Sequence, residues 1–355
     1  MTIEKQIPSE DGRRRPSLHK QPLTFRLLRS LNGYDSGRRR VRSSPINMSP
    51  TIPDTLPALL LLEISPIVVS TYTAGIALFV IGALAAKSDV AQARGLDKVV
   101  ALGNLFFALP LAVFAAEHFS AAQGISQMVP KFVPWHLFWA YFVGVALLAA
   151  SLSIATKFLV SWSGLLWGIM MFLFVAMMDL PGTLADPHNR ISWALLLREL
   201  SFGAGGWVLA GAAMAKRDGH WGSKLVAAGR VIIGVGAIFY GVEHFLHPIN
   251  VPGVPLEKLM PVWIPGRMAI SYLTGALLLA CGLCILLGKK TRMAATYLGT
   301  WIALLVFTVY LAILIASFSD PSTDVKVEAV NYFTDTMLYA GVILALARAM
   351  QRTDS

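Results

Sequence analysis

Nine stretches of this 355-residue chain are long and apolar enough to cross a hydrocarbon layer as helices. They run roughly over 66–86, 97–119, 135–156, 161–180, 191–214, 223–246, 266–288, 293–317 and 328–350. About 20 apolar residues suffice for one crossing. Within lipid the backbone must satisfy its own hydrogen bonds, so such a chain folds as a bundle of helices. Only 14% of the residues are charged and 55% are hydrophobic, whereas a soluble domain carries about 25% charge. The sequence therefore predicts an all-α, polytopic membrane bundle of about nine transmembrane helices. It excludes a soluble enzyme, a disordered protein and a secreted disulfide scaffold.

The net charge of +10 is unevenly placed. Residues 1–50 carry eleven Lys/Arg against four acids, a net +7. This segment reads as a basic, disordered tail over 1–56, with no nucleic-acid partner. Loop charges set the orientation of a helical membrane protein. Lys87, Arg94, Lys98, Lys157, Lys216, Arg217, Lys224, Lys289, Lys290, Arg292, Arg348 and Arg352 fall at one set of ends. Only Lys131, Arg190, Lys258, Arg267 and Lys326 fall at the other. Twelve against five puts the C-terminus and the Lys289–Arg292 loop in the cytoplasm. The Pro-bearing loops 120–134 and 247–265 then face outward. Nine spans would also put the basic tail outside. Two expectations remove that conflict: translation starts at Met48, or Ala58–Ala86 does not cross fully.

Spans two to five repeat as spans six to nine. Glu117-His118-Phe119 matches Glu243-His244-Phe245, and Pro130 and Pro134 match Pro261 and Pro265. Tyr141 and Gly144 match Tyr272 and Gly275, Asp186-Pro187 matches Asp320-Pro321, and Glu199 matches Asp335. The offset grows in small steps, largely in loops. The predicted organisation is a tail (1–56), an extra N-terminal membrane helix and loop (57–96), and two four-helix repeats (97–222 and 223–355). An even number of spans gives both copies one orientation, with their axis along the membrane normal.

The second copy reads Gly241, His244-Phe245, Pro248, Pro261-Val-Trp263-Ile-Pro265, Tyr272, Gly275, and then Leu286-Leu-Gly-Lys-Lys-Thr-Arg292. This pattern resembles the DoxX family of four-helix bacterial membrane proteins. The resemblance is fullest over about 223–350 and weaker over 97–214, where a lone Lys157 replaces the basic turn. It implies a small subunit of a bacterial inner membrane, linked to quinone-dependent sulfur or thiol oxidation. Quinone would be the cofactor, and a soluble or membrane redox partner would supply electrons.

Ionisable groups at membrane depth are costly and are functional candidates by default. Glu117-His118 and Glu243-His244 close the outer ends of spans two and six. An inward His could donate to a quinone carbonyl while a carboxylate takes the released proton. The plain alternative is a helix end bonded to its own loop. Pro261, Trp263, Pro265 and Tyr272 would bind the quinone or cover its site. Arg198, Glu199, Arg230 and Asp335 lie within spans, as a charge-paired core or as a proton path. Asp179 sits near an outer end, where water reaches it. Cys281 and Cys284 form a CxxC inside span seven, and small-residue packing explains them as well as thiol chemistry does. His136, His188 and His247 lie near outer ends, but no spacing resembles a zinc signature, and no metal ligand is assigned.

Three functions compete. The first is a DoxX-like, quinone-linked redox subunit built around the Glu-His pairs. The second is a proton-coupled small-molecule transporter, in which Glu199 and Asp335 matter more. The third is a non-catalytic assembly subunit of a membrane complex.

Overall fold

A computed structural model describes residues 65–215 and 219–351. The basic tail, Met48, the Ala58–Leu62 prefix, Lys216, Arg217 and Arg352 lie outside those residues. Among the described residues the regular structure is helical, apart from a single antiparallel bridge between Asn250 and Leu259. In chain order the helices are α1 (Pro66–Gln92), α2 (Asp97–Ala101), α3 (Gly103–Ser120), α4 (Ala122–Ser126), α5 (His136–Thr156) and α6 (Val160–Phe174). A π-helical segment, Val175–Asp179, joins α6 to α7 (Leu180–Ala185). Next come α8 (Arg190–Met214), α9 (Gly219–Leu246), α10 (Arg267–Leu286) and α11 (Thr291–Leu305). A second π-helical segment, Val306–Tyr310, leads into α12 (Leu311–Ser317), and α13 (Thr323–Gln351) completes the bundle.

Among the described residues, seven helical stretches are long and apolar enough to cross a membrane. They are α1, α5, α6 through α7, α9, α10, α11 through α12, and α13. The protein is thus a multi-pass helical membrane protein. The other two expected spans are helices as well. However, α3 and α8 lie among neighbouring helices and carry polar residues, including Glu117, His118, Arg198 and Glu199. Helices that face protein need less apolar surface than helices that face lipid.

The packing is pairwise. α3 packs on α5, α6 on α8, α9 on α10 and α11 on α13. Three further contacts tie these pairs together: α8 with α9, α3 with α13, and α8 with α13. Of the candidate spans α13 is the most buried and α1, which leans on α3 and α5, the least. Lipid gives apolar side chains no reason to leave it, so close helix contact depends on small residues and on hydrogen bonds. Gly144 and Gly275 show the requirement. A Cβ at Gly144 would come within 2.9 Å of His118 Cβ, and one at Gly275 within 3.0 Å of His244 Cβ.

Several local features recur 131 residues apart. The π-helical segments begin at Val175 and Val306. Positive φ occurs at Trp135 and Gly266, at Lys157 and Gly288, and at Leu159 and Lys290. The carbonyls of Ile154 and Ile285 share that spacing, and each accepts from a side chain, Asn104 Nδ2 at 3.0 Å and Arg230 Nη1 at 2.5 Å, these two donors being 126 residues apart.

Ion pairs gather the helix ends. Asp89 binds both Lys157 (3.0 Å) and Arg348 (2.8 Å), and Asp97 binds Arg292 (3.1 Å). The opposite end holds Arg190–Glu243 (3.1 Å) and Lys258–Glu328 (2.7 Å).

Candidate functional site

The end that holds Arg190 carries a polar interior. α8 starts cleanly because Asn189 Oδ1 accepts the backbone N–H groups of Ile191 (3.0 Å) and Ser192 (3.4 Å), a side-chain N-cap. That start places Arg190 at the mouth. Its Nη1 donates to Glu243 Oε2 and to Leu256 O, both at 3.1 Å. Two turns deeper on α8, Arg198 donates to Glu199 Oε1 from Nη2 (2.7 Å) and to Asp335 Oδ2 from Nη1 (2.6 Å). Charge-assisted bonds this short are strong, and a guanidinium suits two carboxylates at once. The expected charge-paired core therefore forms around Arg198, Glu199 and Asp335.

Arg230 stands apart from that core. Its Nη1 donates to Ile285 O and Leu286 O, so it caps the last carbonyls of α10 at the other end of the bundle. Those carbonyls have no partner within their own helix, and a cation there also meets the negative end of the helix dipole.

Two further carboxylates come within electrostatic reach of the triad. Glu117 on α3 faces Asp335 and Asn331, and Asp179 faces Glu199 and Arg198. Asp179 ends the first π-helical segment and is only partly exposed. The extra residue of a π turn rotates the rest of the helix beyond it, and such segments collect at functional sites. The wet position expected for Asp179 thus becomes an inward one. Glu199, Asp335 and Asp179 thus share one guanidinium, and Glu117 lies within reach of Asp335. Glu117 Oε1 and Asn331 Oδ1 are both buried acceptors with no hydrogen-bond partner among the described residues.

The two Glu-His pairs differ. His244 is fully buried, and both ring nitrogens are engaged. Nδ1 lies 2.6 Å from Tyr240 O, and Nε2 accepts the Gly253 N–H at 3.0 Å. These partners fix the neutral tautomer with its proton on Nδ1. Glu243 is held by Arg190, with His247 at 3.6 Å. In the other pair His118 Nδ1 lies 2.8 Å from Phe114 O. Its Nε2 makes no hydrogen bond among the described residues, and neither does Glu117 Oε1.

The segment that satisfies His244 reads from sequence as part of an outer loop, yet residues 251–256 are buried in the bundle. Tyr310 OH donates to Pro252 O (3.0 Å), Thr336 Oγ1 to Val254 O (3.2 Å) and Asn250 Nδ2 to Leu256 O (2.9 Å). Irregular backbone at such a depth must be satisfied by protein, and here it is. Gly253 has φ +134, and a Cβ there would lie 2.8 Å from Tyr310 OH. No other residue type fits. Tyr310 ends the second π-helical segment, as Asp179 ends the first.

The expected loop cover lies elsewhere. Trp263 and Tyr272 are exposed, Tyr272 stacks on Phe245 (5.8 Å between centroids), and Pro265 faces outward too. Pro261 is partly buried and its carbonyl accepts the Ile264 N–H. Loop 120–134 is mostly exposed. Cys281 and Cys284 are free thiols, partly buried against the apolar core. Among the described residues no three His, Cys, Asp or Glu side chains are grouped to hold a metal.

Arg190, Tyr240, Asn250, Tyr310, Asn331 and Tyr332 carry no sequence signal that marks them as site residues. Tyr240 OH donates to Ala194 O (2.5 Å), and Tyr332 OH to Glu257 Oε2 (2.8 Å). The buried loop does carry one signal: Val251, Val254 and Leu256 are apolar letters in a loop assigned to water. Beyond the triad towards the far end, α8 and α13 carry buried apolar residues, Val208, Leu209, Leu344 and Leu346 among them, and Gly205 of α8 meets Val342 of α13. The polar interior is therefore one-sided.

No protein-family model matches the chain, and comparison with curated proteins and with solved structures likewise finds no match.

Proposed function

We propose that the protein is a proton-coupled small-molecule transporter of a bacterial inner membrane. The carrying observation is the surplus of acceptors inside the bundle. Three carboxylates share one guanidinium, a fourth, Glu117, lies within reach of Asp335, and Glu117 Oε1 and Asn331 Oδ1 lack a donor among the described residues. An unbalanced charge near the bilayer centre costs at least about 2.5–3.5 kcal/mol. Each proton that enters from the Arg190 end lowers that cost. The buried apolar residues of α8 and α13 towards the far end then act as the closed gate. Proton relays built from Asp, Glu and His are the usual use of such groups.

The architecture behind this reading is nine spans: one N-terminal helix and two tandem four-helix units of DoxX-like pattern. The paired π-helical segments and the matched positive-φ positions support it. So do the contacts α3–α13 and α8–α9, which exchange the first and last helices of the two units. Glu199 and Asp335 are then equivalent positions that share Arg198. Opposite rocking of two such units is a common form of alternating access. The loop-charge excess puts the Arg348 end and the C-terminus in the cytoplasm.

A quinone-linked redox role is the second reading. His118 favours it, since its one hydrogen bond is from Nδ1 to Phe114 O and Nε2 is left to meet a ligand. His244 offers a quinone no ring nitrogen while Gly253 holds it.

Charge displacement on a solid-supported membrane after a pH jump detects proton binding without knowledge of the solute. A transient current is expected from the wild type. It should vanish in Asp335→Asn and shrink in Glu117→Gln. Equal currents in all three proteins would overturn the reading. Quinone reduction that fails in His118→Ala would favour the second.

A further inference from the structure

We infer that residues 249–260 form a gate over the polar interior and swing out of the Arg190 end as one body to admit a solute. The gate rests on the reading of that interior as a transport route. Its test uses no proton current, so the gate and the proton reading can fail separately.

The segment is a short hairpin with its neck at the surface and its tip in the bundle. Ile249 and Leu259 at the neck are exposed, whereas Val254 and Leu256 at the tip are each 1% exposed. The hairpin holds itself together. Val251 N–H donates to Lys258 O (2.8 Å), Met260 N–H donates to Ile249 O (2.9 Å), and Asn250 Nδ2 reaches across to Leu256 O (2.9 Å). Its ties to the rest of the bundle are of another kind. Among the described residues no backbone–backbone hydrogen bond joins 251–258 to a helix. Instead Tyr310, Thr336 and Arg190 each donate to one of the alternate carbonyls of Pro252, Val254 and Leu256. His244 accepts the Gly253 N–H, Tyr332 donates to Glu257, and Lys258 pairs with Glu328 at the rim. Withdrawal therefore breaks side-chain ties and keeps the hairpin's own backbone bonds, as in a lid that moves about its two ends.

The same ties put the tip across the way to the triad. Thr336 adjoins Asp335 on α13, and Arg190 stands two turns before Arg198 on α8. Midway between those two arginines, at four-residue spacing on the same helix face, is Ala194, which is fully buried. Arg190 also holds Glu243, so one guanidinium latches the tip to α9. Only one of the two Pro-bearing loops has this form. Glu117 and Glu243 are 126 residues apart, whereas Pro130 and Pro261 are 131 apart, so the loop after α9 holds five residues more. The shorter loop 120–134 stays mostly exposed, and His118 Nε2 has no partner like Gly253 among the described residues.

Access to position 194 reads the gate. The full chain is placed in nanodiscs, with Cys281→Ser and Cys284→Ser to remove the native thiols and Ala194→Cys as reporter. The probe is the cationic thiol reagent 2-(trimethylammonium)ethyl methanethiosulfonate, and intact mass follows its addition. The reporter should react slowly in that parent. One hydrogen bond biases such an equilibrium about fivefold. Tyr332→Phe, at the rim, should therefore speed the reaction about fivefold, and Tyr310→Phe with Tyr332→Phe about 25-fold. Tyr339→Phe removes a buried hydroxyl that is not tied to the hairpin and should leave the rate unchanged. In the double variant the Gly253 amide should exchange hydrogen about 25-fold faster, and the Val251 and Met260 amides no faster. Equal reporter rates in the parent and the double variant, or equal acceleration by Tyr339→Phe, would overturn the gate. Val251 exchange that rises in step with Gly253 would mean that the hairpin unfolds, and would overturn its movement as one body. A pH-jump current beside an unreactive reporter would leave the proton reading standing without the gate.

Discussion

Replacing His244 by Ala should cost far more than replacing His118, although both come directly after a Glu at the end of a helix. His244 is fully buried and bonded at both nitrogens. Its removal leaves the buried Gly253 N–H without an acceptor, a loss of about 1–3 kcal/mol. The cavity left by a buried ring adds to that, since large-to-small core changes cost about 2–5 kcal/mol. The combined expectation is about 3–5 kcal/mol. His118 makes one bond, to a carbonyl within its own helix, and is partly exposed. Its loss should cost about 1 kcal/mol. Equilibrium unfolding in mixed micelles measures both. A label adds local detail: Val251 is 6% exposed, so a Val251→Cys thiol should react slowly with maleimide in the wild-type background and quickly with His244→Ala. Equal costs for the two His variants, or labelling that His244→Ala does not change, would refute the account of residues 251–256 as a buried plug.

Arg198→Met should destabilise by about 3–5 kcal/mol because it strands Glu199 and Asp335, whereas the all-apolar triple Arg198→Met, Glu199→Leu, Asp335→Leu should recover most of that in the same unfolding assay. Gly275→Ala forces a Cβ to within 3.0 Å of His244 Cβ and should cost about 1–3 kcal/mol; a neutral result would show that α9 and α10 are less tightly packed than described. Cys281→Ser with Cys284→Ser should leave pH-jump currents unchanged, since both thiols pack on the apolar core; lost currents would restore a thiol role.

Much of this is legible in the sequence because membrane depth punishes polar groups. Each of the nine apolar stretches falls on a helix, and Arg198, Glu199 and Asp335 stand out as charges inside spans. Their pairing reflects the need to neutralise one another. Other features depend on distance rather than on composition. Arg230 reads as a third member of the core, but a long side chain can reach helix-end carbonyls as readily as a carboxylate. Asp179 reads as solvent-facing on a regular helix, and the π turn changes the register after Val175. The two Glu-His pairs read as equivalent because their letters are identical. Their difference comes from loop 247–265, whose Val-Pro-Gly-Val-Pro-Leu stretch enters the bundle and satisfies one His only. Pro and Gly usually mark surface turns, so that signal points outward.

The central claim is that the buried carboxylates around Arg198 exchange a proton with the Arg190 end. Infrared difference spectroscopy of the purified protein across a pH titration tests it most directly, because the C=O stretch of a protonated carboxyl is separate from the amide bands. The account predicts a carboxyl band that titrates in the wild type and is weakened in the Glu117→Gln, Asp335→Asn double variant, where only Asp179 and Glu199 of the cluster remain. A spectrum with no titrating carboxyl band, or one that the double variant leaves unchanged, would contradict it.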